Sequence, residues 1–123
     1  MPLKIGNIFG NVLNRMSTLS NPFPVIQNAK HNGELLFSNH ALQRMFQRGI
    51  SIDQIEQGLD CSNAEILEVY PQIGRPSTDY LILGVDGKGK NLHILVAYPP
   101  IEVITTYEPK PPKWITPRQR GRI

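Results

Sequence analysis

The second half of the chain holds four apolar segments whose connections are too short for anything but antiparallel pairing, and this limits the fold more than any other feature. The segments are AEILEVY, DYLILGV, NLHILVAY and IEVITTYE, and each has the two-residue period of a half-buried strand. Asp86-Gly87-Lys88-Gly89 turns the second into the third, and Pro99-Pro100 turns the third into the fourth. A crossover to a parallel strand takes a dozen residues or more, so the expected arrangement is a four-stranded antiparallel meander. On the third strand Leu92, Ile94, Val96 and Tyr98 share one face, which sends His93, Leu95 and Ala97 to the other. If Tyr98 and Ile101 flank a two-residue turn, His93 falls opposite Thr106 and Tyr107 opposite Leu92; a one-residue slip reverses that pairing of faces.

Two short helices are expected ahead of the strands. Ser38 is a sound N-cap for NHALQRMFQR, with Phe37 before it placed to staple against Leu42, and Gly49 suits the left-handed residue that follows a helix. Ser51 then opens IDQIEQGL, with Gln54 at the third position of a capping box and Ile50 facing Ile55. On the first helix Ala41, Leu42, Met45 and Phe46 fill one side of the wheel, and His40, Gln43, Arg44, Gln47 and Arg48 fill the other. The fold class is therefore α+β, two short helices packed on a four-stranded antiparallel sheet. Residues 1–33 are rich in Asn, Ser, Pro and Gly, with NPFP at 21–24 reading as a helix breaker. Ile8, Phe9, Val12, Leu13 and Met16 recur at helical spacing, but the segment as a whole reads as an extension of low order. The domain is placed at 34–114, followed by a basic, proline-rich tail at 115–123 that leaves the fold after Trp114.

A length of 123 residues allows one domain and one modest core, which excludes large multi-step enzymes. No apolar run approaches the roughly 18 residues of a membrane span, and the interrupted N-terminus lacks a signal-peptide core, so a cytoplasmic protein without membrane contact is expected. The single cysteine, Cys61, has no internal partner and reads as a structural thiol. Net charge is +3, but the five basic residues from Lys110 onward, Lys110, Lys113, Arg118, Arg120 and Arg122, meet no acid. The remainder carries 8 basic against 10 acidic side chains, so the body itself is weakly acidic. Attraction to a nucleic acid must come from the helix stripe and the tail together.

That stripe is His40, Arg44 and Arg48, each step of four residues advancing the helix face by only about 40°. Two guanidiniums can hold a phosphate bidentately, and an imidazole can move a proton. The same residues also suit a solvated face, with the arginines paired to Glu34 or Glu56. His93, set among Leu92, Ile94 and Leu95, reads more readily as a buried, hydrogen-bonded histidine than as a catalyst, and Tyr107 as a proton donor, a stacking platform or a packed edge. Lys110, Lys113, Arg118 and Arg120 can follow a phosphate backbone. The sequence contains no Cys pair, no His-x3-His and no clustered Asp motif, so no metal site and no cofactor is expected. Gly84 to Gly89 resembles a phosphate loop in composition alone.

The order His-x3-Arg-x3-Arg-Gly-Ile-Ser, EILEVYP, LHILVA and VITTYEP followed by Trp resembles a family of small bacterial domains catalogued as domain of unknown function 4258, over about Phe37 to Trp114. That family is similar in layout to the BrnT and RelE toxins and is grouped with the barnase, EndoU, colicin and RelE-like RNases. The resemblance implies a toxin-like endoribonuclease that cuts RNA without a metal, with an antitoxin protein as partner. Carried over position by position, it marks His40, Arg44 and Arg48 on the helix, and His93, Thr106 and Tyr107 on the strands. A non-catalytic domain of the same fold, binding protein or RNA, stands beside it. RelE-like toxins are strongly basic, and this chain's acidic body departs from them.

Overall fold

The computed structural model describes residues 21–60 and 62–121. Cys61 and the helical spacing noted at Ile8 to Met16 lie outside the described residues. The elements are α1 (Phe23–Asn32), β1 (Leu36–Phe37), α2 (Asn39–Arg48), α3 (Ile52–Gly58), β2 (Glu65–Pro71), β3 (Thr78–Val85), β4 (Asn91–Tyr98), β5 (Glu102–Tyr107), β6 (Trp114–Thr116) and β7 (Gln119–Arg120). Strands β2 to β5 form the expected antiparallel meander, but β1 adds a fifth strand, parallel to β5, in the order β1-β5-β4-β3-β2. The sheet is thus mixed and five-stranded, correcting the four-stranded antiparallel expectation. The two residues of β1 were too short to show a period.

The helix caps form as the sequence predicts. Ser38 Oγ accepts from Ala41 N–H at 2.9 Å, Gly49 closes α2 at φ 66°, and Ser51 and Gln54 make both bonds of the capping box. Residues 21–33, read as part of an extension of low order, instead hold the ten-residue α1. NPFP starts this helix rather than breaking it. Pro22 sits at the N-cap and Pro24 in the first turn, where a missing N–H costs no intrahelical bond, and Asn21 Oδ1 accepts from Phe23 N–H. Phe23, Ile26 and Ala29 are buried, and Gln27 Nε2 donates to the Leu59 carbonyl at 2.7 Å, tying α1 to the end of α3.

The core joins Phe23, Ile26, Ala41, Met45, Ile55 and Leu59 from the helical side to Tyr80, Ile82, Leu92, Ile94, Val96 and Val103 from the sheet. Only part of the predicted apolar side of α2 takes part. The helix lies along β5 near the edge of the sheet and buries Ala41 and Met45, while Leu42 stays 44% and Phe46 90% exposed. The opposite sheet face is covered as well. Leu81, Leu83 and His93 are buried there, and residues 115–120, expected to leave the fold as a tail, form with Trp114 the β6–β7 hairpin that closes over His93.

Candidate functional site

The turn between β4 and β5 begins in the predicted register, with Ala97 opposite Glu102 and Val96 opposite Val103. A bulge then inserts Ile104 and shifts every later pair by one, so Thr106 faces Ile94 and His93 faces Tyr107. The sequence reading had paired His93 with Thr106; the alternative register it noted is the one formed beyond the bulge. This brings His93 and Tyr107 together on the face away from the helices. Tyr107 Oη lies 3.1 Å from His93 Nδ1, and His93 Nε2 lies 2.7 Å from the Pro117 carbonyl. A carbonyl only accepts, so Nε2 carries the proton and Nδ1 accepts from the tyrosine hydroxyl. Trp114 closes the cluster edge-on, its ring centroid 4.3 Å from that of His93, and the Arg120 guanidinium stands 4.7 Å over the indole.

Burial shifts both titratable groups away from charge. It lowers the His93 pKa against the opposing pull of the Pro117 carbonyl and Glu68, with Arg120 adding to the fall. Burial likewise raises the Tyr107 phenol, while the Trp114 N–H, Arg120 and Arg48 pull it down. The indole N–H lies close enough to act on the phenol but makes no hydrogen bond of acceptable geometry. His93 is wholly enclosed and has both ring nitrogens occupied. It is therefore placed to hold Tyr107 and the hairpin rather than to meet a substrate.

A pH dependence of stability follows. The folded pKa of His93 lies below its unfolded value, so the unfolded chain binds the proton more readily. The stability contributed by the neutral ring is fully present above about pH 6.5 and is lost as pH falls through the folded pKa. Melting temperatures taken from pH 7.5 down to 5 are expected to fall in the wild type and to fall less in His93→Gln. Equal slopes in the two proteins remove His93 as the cause.

The other predicted residues separate. Thr106 is buried and donates Oγ1–H to the His93 carbonyl at 2.8 Å. His40 is exposed on α2, and Arg44 donates to Gln47 on its own helix at 2.9 Å. Arg48 leaves the stripe, because Nη1 donates to the Thr106 carbonyl at 2.7 Å and holds the guanidinium at the end of β5. There Arg48, Ile50, Lys90, Tyr107, Glu108 and Lys110 line a cavity of about 300 Å³. Glu108 is shared by Lys90 at 3.8 Å and Lys110 at 3.6 Å, and Arg48 lines the same cavity, so three cations and one carboxylate share it. Lys113 is exposed in the turn before β6. Arg118 and Arg120, read as tail cations, are bound bidentately or nearly so to Glu65 and Glu68 at 2.7–2.9 Å.

Lys90 was missed by sequence reading, and a signal for it existed. The register that pairs His93 with Tyr107, continued three residues beyond that pair, sets Lys90 beside Lys110. The bulge at Ile104 hid that register. Among the described residues no three His, Cys, Asp or Glu side chains gather to hold a metal ion, and no helix is long and apolar enough to cross a membrane.

A mixed α+β domain with this basic notch at one sheet end is the class of protein the geometry defines. By sequence, the family described as Domain of unknown function (DUF4258) matches residues 37–108, more than half of the chain, and the protein belongs to that family. The match covers β1 from Phe37 through β5 and stops short of the β6–β7 hairpin. No curated protein and no solved structure matches the chain significantly.

Proposed function

We propose that this domain binds RNA through the notch at the end of β5, gripping the phosphate backbone with Arg48, Lys90 and Lys110 and offering Tyr107 in its lining. The observation that carries this reading is the convergence of three cations from α2, the β3–β4 turn and the segment after β5, against the single carboxylate of Glu108. One N–H of Arg48 is spent on the Thr106 carbonyl, which orients the guanidinium and leaves four donors for a ligand. Such contacts position a backbone without reading its sequence. The RNA is therefore expected to bind with little base preference.

Cleavage by the same domain, as its resemblance to toxin RNases implies, needs a base for the 2′-hydroxyl and an acid for the leaving oxygen within one site. His93 is enclosed, and His40 stands exposed on α2 outside the notch lining, so binding is the better supported of the two. What favours a catalytic role is the presence of Tyr107 and Arg48 in one cavity, a phenol and a guanidinium that can act on the same phosphate. In that reading an antitoxin protein is the expected partner.

Fluorescence anisotropy with a labelled single-stranded RNA, read over a series of salt concentrations, tests the proposal. Arg48→Gln/Lys110→Gln is expected to reduce the slope of log K against log salt by about 1.4, since each backbone contact to a single strand contributes about 0.7. Melting should barely change, because both side chains are exposed. An unchanged slope moves RNA away from the notch. Shortening of the RNA in the presence of EDTA, abolished in Tyr107→Phe, brings the cleaving reading forward instead.

A further inference from the structure

Resting on the RNA-binding reading, we propose that the C-terminal hairpin is a latch whose arginines, Arg118 and Arg120, are held by Glu65 and Glu68 in the free protein and exchange those carboxylates for phosphates when RNA enters the notch. The hairpin lies outside residues 37–108, the part of the chain that the family model matches. Its anchorage suits exchange. Trp114 is its one buried large side chain, Ile115 is 55% exposed, and the remaining ties are the Pro117 carbonyl on His93, two exposed arginine–carboxylate pairs and an Arg120 contact to the Tyr70 hydroxyl at 3.2 Å. Exposed ion pairs add little to stability, and a guanidinium fork fits phosphate as well as carboxylate.

The latch and the notch share a wall. Tyr107 lines the notch beside Arg48, and its hydroxyl is bonded to the His93 that the hairpin clamps; Arg48 and Arg120 both oppose the rise that burial gives its phenol. A strand seated on Lys110, Lys90 and Arg48 thus passes Tyr107 towards Arg120 and Arg118. The two glutamates occupy these arginines in the way a phosphate does, which hides the second half of the path from weak or short ligands. Drawing Arg120 off the indole face also alters the surroundings of Trp114, the only tryptophan in the chain.

The full chain and five double variants test this with one labelled single-stranded RNA. At 0.1 M salt a backbone contact to a single strand is worth about fivefold in affinity. Arg118→Gln/Arg120→Gln is therefore expected to lose about 25-fold in affinity and about 1.4 in salt slope. Glu65→Gln/Glu68→Gln is expected to bind more tightly than wild type by more than Glu34→Gln/Glu56→Gln, which removes the same charge far from the hairpin. Trp114 emission is expected to change when RNA is added to the wild type and to stay constant in the arginine variant. Should that variant fail to fold, Arg118→Lys/Arg120→Lys keeps the charge without the fork and is expected to fall between it and the wild type. If Arg48→Gln/Lys110→Gln weakens binding but the hairpin variants match their controls, the latch is overturned and the notch stands. RNA binding by none of these proteins overturns both.

Discussion

Gly84→Ala is expected to cost at least about 3 kcal/mol, at or beyond the upper end of ordinary overpacking, and to lower the melting temperature by about 10 °C or more. Gly84 lies on β3 opposite Leu92, where the end of α3 crosses the sheet so closely that the two backbones touch. A Cβ at Gly84 collides with the carbonyl oxygen of Gly58 and lies 2.7 Å from its Cα, so backbone rather than a flexible side chain must give way. On the other side of the contact, a Cβ at Gly58 meets the Ile94 side chain at 3.1 Å. Gly58→Ala is accordingly the milder change. Thermal melting of the two variants side by side checks the argument; equal, small losses mean that α3 can lift off the sheet without penalty.

Ile26→Ala is expected to destabilise the protein by about 2–5 kcal/mol, the range for emptying a fully buried aliphatic site. Ile26 has no exposed surface and joins the same core cluster as Ile55 and Leu59. A chain beginning at Asn32 loses Phe23, Ile26 and Ala29 together with the Gln27 bond to the Leu59 carbonyl. With total stabilities of about 5–15 kcal/mol, that truncation is expected to unfold or aggregate, whereas one beginning at Ser20 keeps α1 and should melt cooperatively. Urea unfolding of both truncations and of Ile26→Ala decides it. A cooperative transition in the shorter chain at the wild-type midpoint makes α1 an ornament rather than part of the core.

Much of this fold is written in short-range patterns. Ser38, Gly49, Ser51 and Gln54 mark the ends of α2 and α3 because a cap is satisfied by backbone groups three or four residues away. The alternation of Leu92, Ile94 and Val96 gives the core face of β4 for the same local reason, since a strand's side chains can only alternate. The candidate site was legible in part: Arg48, Tyr107 and Lys110 do meet, and their residue types suited phosphate before their positions were known.

What tertiary structure alone decided depends on partners far apart in the chain. Pro22 and Pro24 are equally compatible with a break or a helix start, and the buried contacts of Phe23 and Ile26 select the start. The tail folds back because Trp114 buries its ring against His93, and because His93 has a ring nitrogen to give to Pro117, while Glu65 and Glu68, more than 50 residues earlier, face Arg118 and Arg120. One inserted residue at Ile104 sets Tyr107 against His93 and brings Lys90 to Lys110. A bulge changes every later pairing while leaving the local strand pattern almost unaltered. The sequence by itself therefore determined α2, α3, strands β2 to β5 and the kinds of chemistry available, whereas α1, β1, the hairpin and which side chains share a cavity were decided by register and docking, whose energies come from contacts no local window contains.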